Sequence, residues 1–107
     1  MKRGDIVTVL IKGDYGKPRP ALIIQSNLFP EHPSVTLLPI TGELRDVPLF
    51  RYTLFESKEN GLNKTSQVMI DKIATIKADR IGKTIGSLSQ QELTEVTRLM
   101  ALWLGMA

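Results

Sequence analysis

A chain of 107 residues, 42% hydrophobic and 23% charged, has the balance of one folded domain and is too short for two hydrophobic cores of ordinary size. Its formal charge of +3 is compatible with a polyanionic partner, and one Trp, two Tyr and three Phe leave little room for an extended set of base-stacking platforms. The absence of cysteine excludes disulfides and thiolate chemistry, and a single histidine, His32, excludes a multi-histidine metal cluster within one chain.

The amino terminus has no pattern of a targeting segment. Polar residues return before any apolar stretch long enough for a signal peptide, and no segment approaches the length of a membrane span. We therefore expect one domain over residues 1–107, located in the cytoplasm and making no contact with a membrane.

The first half of the chain is predicted to contain three strands. Residues 5–11 are rich in β-branched side chains and begin with alternation, which predicts strand one, and residues 12–17 form a loop with two glycines. Residues 21–26 begin with four apolar side chains, a pattern typical of a strand that is covered on both faces. A polar connection over residues 27–33 leads to a third apolar strand at residues 34–40.

A fourth strand is predicted at residues 47–55. Its alternation makes Leu49, Tyr52 and Leu54 candidates for burial. The polar composition of residues 56–64 indicates a hairpin connection after it.

Two short β-like runs follow, at residues 65–70 and 73–76. They could be two paired strands or one bent strand, and hydrophobic periodicity does not distinguish these arrangements. Residues 79–82 are predicted to turn into a short extended piece at residues 83–86.

The clearest element is an amphipathic helix at the carboxy terminus. Ser89 followed by Glu92 is the signature of a capping box, and Gly105 ends the helix. The apolar residues between them recur at helical spacing and are expected to pack on the sheet: Leu93, Val96, Leu99, Met100, Trp103 and Leu104. The predicted fold class is therefore a mainly β domain with a C-terminal α-helix.

A candidate site lies where loops meet the ends of strands. Arg19 stands between Pro18 and Pro20, so its backbone has little freedom to lose when it engages a ligand. If the end of the third strand lies beside it, the hydroxyl of Thr41 converges on the same patch. Such a pair suits a phosphodiester, because both groups donate hydrogen bonds to phosphate oxygens. The structural alternative is that Arg19 is only a solvated strand end.

In an RNA site the 2′-hydroxyl next to the phosphate supplies the nucleophile. Cleavage then requires no metal, no other cofactor and no nucleophile from the protein. Asp14 is the nearest carboxylate candidate before Arg19, although a loop-forming role explains it equally well. Ser66 and Gln67 could contact RNA or could be strand-edge residues. His32 is not assigned to the site, because an isolated loop histidine is more often solvated than catalytic.

Five sets of sequence segments, spread over nearly the whole chain, resemble a known family when they are read in order. They are Arg3–Val7, Pro18–Asn27, the third strand running into Pro39-Ile40-Thr41, Gln67–Val68 through Ile73–Ile76, and Arg80–Gly82 with Ile85–Ser89 and the helix. In this order they resemble the MazF/PemK/Kid family of toxin endoribonucleases from bacterial toxin-antitoxin modules.

The resemblance implies a small SH3-like β-barrel of the MazF/CcdB type, a symmetric homodimer, and metal-independent cleavage of single-stranded RNA at short sequences. It also implies a 2′,3′-cyclic phosphate product, inhibition of translation through mRNA cleavage, and a cognate antitoxin laid across the RNA site. Arg19 takes the position of the family's catalytic, phosphate-contacting arginine, and Thr41 that of the threonine after strand three. Four further residues are expected to contact RNA: Asp14, Lys17, Ser66 and Gln67.

Two alternatives stay open. A DNA gyrase poison similar to CcdB has the same fold and acts through its terminal helix, and Trp103 lies close enough to the end of this chain to fit that role. The other alternative is a non-catalytic nucleic-acid-binding barrel that keeps Arg19 only for phosphate contact. The Pro18-Arg19-Pro20 start of the second strand favours the nuclease.

Overall fold

The computed structural model describes residues 1–10 and 16–107. These residues form an antiparallel sheet and a C-terminal helix, which confirms the predicted fold class. The elements in chain order are β1 (Asp5–Leu10), β2 (Pro18–Ile23), β3 (Ser34–Thr41), β4 (Arg51–Leu54), β5 (Ser66–Met69), β6 (Ala74–Lys77), β7 (Ile81–Ser87) and α1 (Gln90–Trp103), with 3-10 turns at Ile70–Lys72 and Ala78–Arg80. The predicted loop at residues 12–17 and the end of the predicted first strand lie largely outside the described residues.

β3 is the strand on which the sheet is built. The main ladder runs β4-β5-β3-β2-β1-β7, and β6 also pairs with β3. One edge of β3 pairs with β2, while the other pairs first with β6 along Ser34–Leu37 and then with β5 at Ile40 and Thr41. The two β-like runs after residue 64 are therefore separate strands that pair with different parts of β3, and a 3-10 turn lies between them.

Most predicted strands have slightly different bounds in the structure, and β2 and β4 differ most. β2 spans Pro18–Ile23. It can begin before Ala21 because a proline can occupy a strand position whose backbone nitrogen makes no hydrogen bond to a neighbouring strand. β4 contains only Arg51–Leu54, because Val47 accepts hydrogen bonds from the backbone of Phe50 and Arg51 and a turn precedes the strand.

The burial expected for the fourth strand is partly wrong. Leu54 is fully buried and Tyr52 is half-buried, but Leu49 lies in the turn before β4 and is 73% exposed. Leu49 was expected to be buried as part of a strand that began at residue 47, but the chain forms a turn at residues 48–50 and leaves its side chain in solvent.

The central strands separate two cores. Ile6, Leu22 and Leu38 face the core that α1 covers. The residues next to them in sequence face a second core, which residues of β6 and the start of β7 cover. The second core contains Val7, Val9, Ala21, Ile23, Val35 and Leu37. This arrangement explains the continuous apolar run of the second strand, because residues on both of its faces are buried.

The C-terminal helix packs on the sheet through its middle. Ser89 accepts a hydrogen bond from the backbone of Glu92, whose side chain accepts one from the backbone of Ser89, so the predicted capping box is present. Val96 and Leu99 are buried. Trp103 is half-exposed and packs against Phe50 at 5.9 Å between ring centroids, so the apolar stripe is only partly covered at its end.

The strand ladder of the described residues does not close, and a loop fills the gap between its ends. The backbone N–H of Ser87 in β7 donates to Glu59, which lies in the connection after β4. Asn60 is buried in that connection and holds it through bonds to the backbone of Ser57, Leu62 and Phe55. The result is a barrel-like sheet. No helix of the described residues is long and apolar enough to cross a membrane.

Candidate active site

A groove of about 840 Å³ lies where the start of β2 approaches the end of β3. Four segments supply most of its walls: residues 17–20, residues 39–43, residues 61–64, and Lys83 with Ile85 in β7. Of the residues predicted from the sequence, Lys17, Arg19, Thr41 and Ser66 line this groove.

The pairing of β2 with β3 brings Arg19 and Thr41 together. The ladder pairs Ala21 with Pro39, and the same register continued by two residues sets Arg19 opposite Thr41. The paired register itself ends at Ala21 and Pro39. Arg19 and Thr41 both line the groove beyond that pair.

Arg19 is an exposed residue held in a strand. It pairs with Val9 of β1, and the prolines on each side restrict its backbone. Its guanidinium can present a planar fork of donors to phosphate oxygens with little loss of backbone freedom on binding.

The hydroxyl of Thr41 is oriented by its own turn. Its oxygen accepts a hydrogen bond from the backbone N–H of Glu43 at 3.1 Å. A hydroxyl has one proton to donate and two acceptor positions, so this bond leaves the Thr41 proton for a ligand oxygen.

Gln67 is buried and does not line the groove. Its carbonyl oxygen accepts from the backbone N–H of Arg45 and from the Arg51 guanidinium, and its amide donates to the Arg45 carbonyl and to Thr53. Gln67 also pairs with Thr41 across β3 and β5. The side chain therefore holds the loop that follows Thr41, and its predicted RNA contact stays a prediction.

The other predicted residues differ in position. Ser66 is 4% exposed, and its hydroxyl donates to the carbonyl of Lys64 at 2.9 Å. Asp14 lies outside the described residues. His32 does not line the groove, and its Nδ1 accepts from the backbone N–H of Ser34.

The described lining of the groove is cationic. Four cationic side chains line it: Lys17, Arg19, Lys64 and Lys83. The one carboxylate in this described lining belongs to Glu43, and its Oε1 lies 2.9 Å from Nη2 of Arg45 in an ion pair. Opposite charge and donor-rich side chains favour an anionic ligand. Within residues 1–10 and 16–107, no group of three or more His, Cys, Asp or Glu side chains is arranged to hold a metal ion.

Lys64 and Lys83 were not predicted as site residues. Lys64 belongs to a polar connection and Lys83 to a short extended piece, so only their charge distinguished them in the sequence. Their approach to Arg19 depends on contacts between distant segments.

The chain is similar to known toxins along its whole length. The family model of the PemK-like, MazF-like toxin of type II toxin-antitoxin systems matches residues 2–104. A protein from Mycolicibacterium smegmatis named probable endoribonuclease MazF is 38% identical over 108 residues, which cover 100% of this chain and 99% of that protein. The endoribonuclease MazF of Staphylococcus saprophyticus is 25% identical over 111 residues, covering 99% and 92% of the two chains.

Solved structures have the same fold. The Mycobacterium tuberculosis toxin MazF-mt6 superposes with a TM-score of 0.83 at 24% identity, over 96% of this chain and 98% of that one. A MazE-MazF crystal structure from Deinococcus radiodurans gives a TM-score of 0.81 at 22% identity, over 100% and 97% of the two chains. By the family match and the 38% identical relative, this chain belongs to the PemK-like, MazF-like toxins of type II toxin-antitoxin systems.

Proposed function

We propose that this toxin is an endoribonuclease that cuts single-stranded mRNA without a metal ion and thereby stops translation. The observation that carries the proposal is that Arg19 and Thr41 line one cationic groove. Its relatives in Mycolicibacterium smegmatis and Staphylococcus saprophyticus are named as a probable endoribonuclease and an endoribonuclease, which supports the same activity here.

The reaction proceeds within the RNA strand. The 2′-oxygen attacks the adjacent phosphorus and loses its proton, the bond from phosphorus to the 5′-oxygen breaks, and that oxygen takes up a proton. The products are a 2′,3′-cyclic phosphate and a 5′-hydroxyl. No atom of the protein becomes bonded to the RNA.

Arg19 and Thr41 act on the charge that develops at phosphorus. The Arg19 guanidinium donates to the non-bridging oxygens, whose charge grows as phosphorus becomes pentacoordinate, and the Thr41 hydroxyl donates to the same phosphate. Lys17, the residue before β2, and Asp14 shape the path of the RNA. Ser66 holds the backbone of Lys64 and Gln67 holds the loop after Thr41, so both support the groove.

The toxin works as a homodimer in the cytoplasm, where mRNA is translated, and is neutralised by a cognate antitoxin. One similar protein is an endoribonuclease solved in complex with its cognate antitoxin, and another structure contains MazE with MazF. A cationic groove favours an antitoxin segment rich in Asp and Glu, because such a segment has the charge of the RNA that it displaces.

Cleavage of a long single-stranded RNA in EDTA tests the activity, with cut positions determined by primer extension. We expect discrete cuts by the wild type and a loss of about 100-fold or more in rate for Arg19→Ala, the cost of removing one donor to a developing charge. Thr41→Val should lower the rate in the same direction.

Arg98→Ala is the matched control. Arg98 lies on the exposed side of α1, where it pairs with Glu95 at 3.0 Å, and this variant should cut at the wild-type rate. Undiminished cleavage by folded Arg19→Ala would remove Arg19 from the mechanism. If the folded wild type made no cuts, a DNA gyrase cleavage assay would test the gyrase-poison alternative, and RNA binding without cleavage would indicate a silent barrel.

A further inference from the structure

Lys64 extends across Gly42, the residue next to Thr41. A Cβ atom added at Gly42 would lie 2.6 Å from the Lys64 Nζ and closer still to its Cε. Real Cβ atoms essentially never approach other atoms so closely, so the position of the ammonium requires the absence of a side chain at residue 42. Both residues line the groove that contains Arg19 and Thr41.

The backbone of Lys64 is fixed from inside the protein. The buried hydroxyl of Ser66 donates to the Lys64 carbonyl, and Ser66 opens β5, which pairs with the end of β3 at Thr41. A fixed backbone and an open position at Gly42 together direct a flexible side chain to one end of the groove. Within the described residues, Lys64 forms no ion pair.

In the proposed reaction the scissile phosphate gains negative charge as phosphorus becomes pentacoordinate. Arg19 lies at the start of β2, and the Lys64 ammonium lies over Gly42, the residue after Thr41 at the end of β3. An ammonium is a compact charge with three donors, so it stabilises a phosphate oxygen without the planar geometry that a guanidinium requires. Its effect is larger where the oxygen carries more charge, which is in the transition state.

We propose that Lys64 is a second cationic catalytic residue, whose ammonium contacts the scissile phosphate beside Thr41, and that Gly42 is a positioning residue for it. The proposal rests on the endoribonuclease activity proposed above. It assigns Ser66 an indirect role, because its hydroxyl holds the Lys64 backbone and does not itself touch RNA.

Steady-state cleavage of an RNA oligonucleotide that contains one cut site tests the proposal. Lys64→Ala should lower kcat by about 10- to 100-fold with a smaller change in KM, the result expected for a contact that strengthens in the transition state. Lys64→Arg should recover part of kcat, because it restores the charge. Lys77→Ala removes the same charge from an exposed position on β6 outside the groove and should stay within twofold of the wild type.

Gly42→Ala gives an independent test of the geometry. The atoms that a methyl group would meet are the end of a flexible side chain, so the variant should displace the ammonium at little cost to folding, which a urea denaturation curve checks. Gly42→Ala should lower kcat when Lys64 is present and have little further effect in Lys64→Ala. Such a non-additive double-mutant cycle is the signature of two residues that act through one contact.

The outcomes separate this proposal from the one on which it rests. Absence of cleavage by the folded wild type would overturn both. Wild-type cleavage with an unchanged kcat in Lys64→Ala would overturn only the role of Lys64, and a change confined to KM would make Lys64 a binding residue. Additive effects of Gly42→Ala and Lys64→Ala would overturn the role of Gly42.

Discussion

At the scale of single residues, Gln67 shows how a buried polar side chain can support a site without touching its ligand. Its oxygen accepts two hydrogen bonds and its amide donates two, so every one of its hydrogen-bonding positions is used inside the protein. Two of these bonds hold the backbone of Arg45, in the loop that follows Thr41. The buried amide therefore connects the sheet to one wall of the groove.

We expect Gln67→Ala to lower the free energy of unfolding by about 1–3 kcal/mol, because it leaves buried partners unpaired. The rate of RNA cleavage should fall as well, since the loop after Thr41 loses its support. Urea denaturation and the cleavage assay measure the two effects, with Gln90→Ala on the exposed start of α1 as the control. Unchanged stability combined with weaker RNA binding would instead show that Gln67 contacts RNA directly.

The sequence predicted the position of groove-lining residues where that position depends on a neighbouring strand. Arg19 and Thr41 could be predicted because each lies at the end of a strand, and antiparallel neighbours bring such ends together. Lys64 could not be predicted, because it lies in a connection with no strand partner and only the folded chain places its side chain over Gly42. A glycine can be required in a loop for several structural reasons, and the sequence alone does not show which of them applies to Gly42.

At the scale of elements, the predicted types hold better than their bounds and pairing. The helix and its capping box were predicted because helical periodicity and the Ser89–Glu92 spacing are both local sequence patterns. The turn before β4 and the division of β3 between two partners depend on tertiary contacts, so periodicity misplaced Leu49 and left the pairing of β5 and β6 open.

The connection between β4 and β5 contains a pH-dependent contact. The Thr65 hydroxyl donates to the Glu56 carboxylate at 2.8 Å, and this hydrogen bond lowers the pKa of Glu56 below its ordinary value. A carboxyl whose pKa is lower in the folded protein stabilises the fold above its unfolded pKa, and this contribution is lost as the pH falls through the folded value. The contact is exposed, so its effect on stability should be small.

We therefore expect Glu56→Gln to lower the urea midpoint at pH 7 and to match the wild type in acid, at a pH below the lowered pKa of the wild-type carboxyl, where that carboxyl is protonated. Unfolding curves at several pH values measure this difference. A difference that persisted in acid would mean that the Glu56 charge is not its source.

At the scale of the whole molecule, one connection both completes the sheet and forms the site. Residues after β4 pack against β7 where the strand ladder does not close, and the same connection continues into residues 61–64 of the groove wall. Gly61 lies at the centre of this packing. Its φ is +69°, and an added Cβ would lie 2.7 Å from the carbonyl carbon of Ile85 and closer to the carbonyl oxygen.

Gly61→Ala should therefore lower the free energy of unfolding by about 3 kcal/mol, of which about 1 kcal/mol comes from the left-handed backbone and the rest from overlap with β7. Gly105→Ala is the matched control, because its φ is +74° and no atom lies within 4 Å of an added Cβ, so it should cost only about 1 kcal/mol. Equilibrium unfolding in urea measures both. Equal losses in the two variants would show that backbone conformation alone requires the glycine, and that contact with β7 does not hold the loop that presents Lys64.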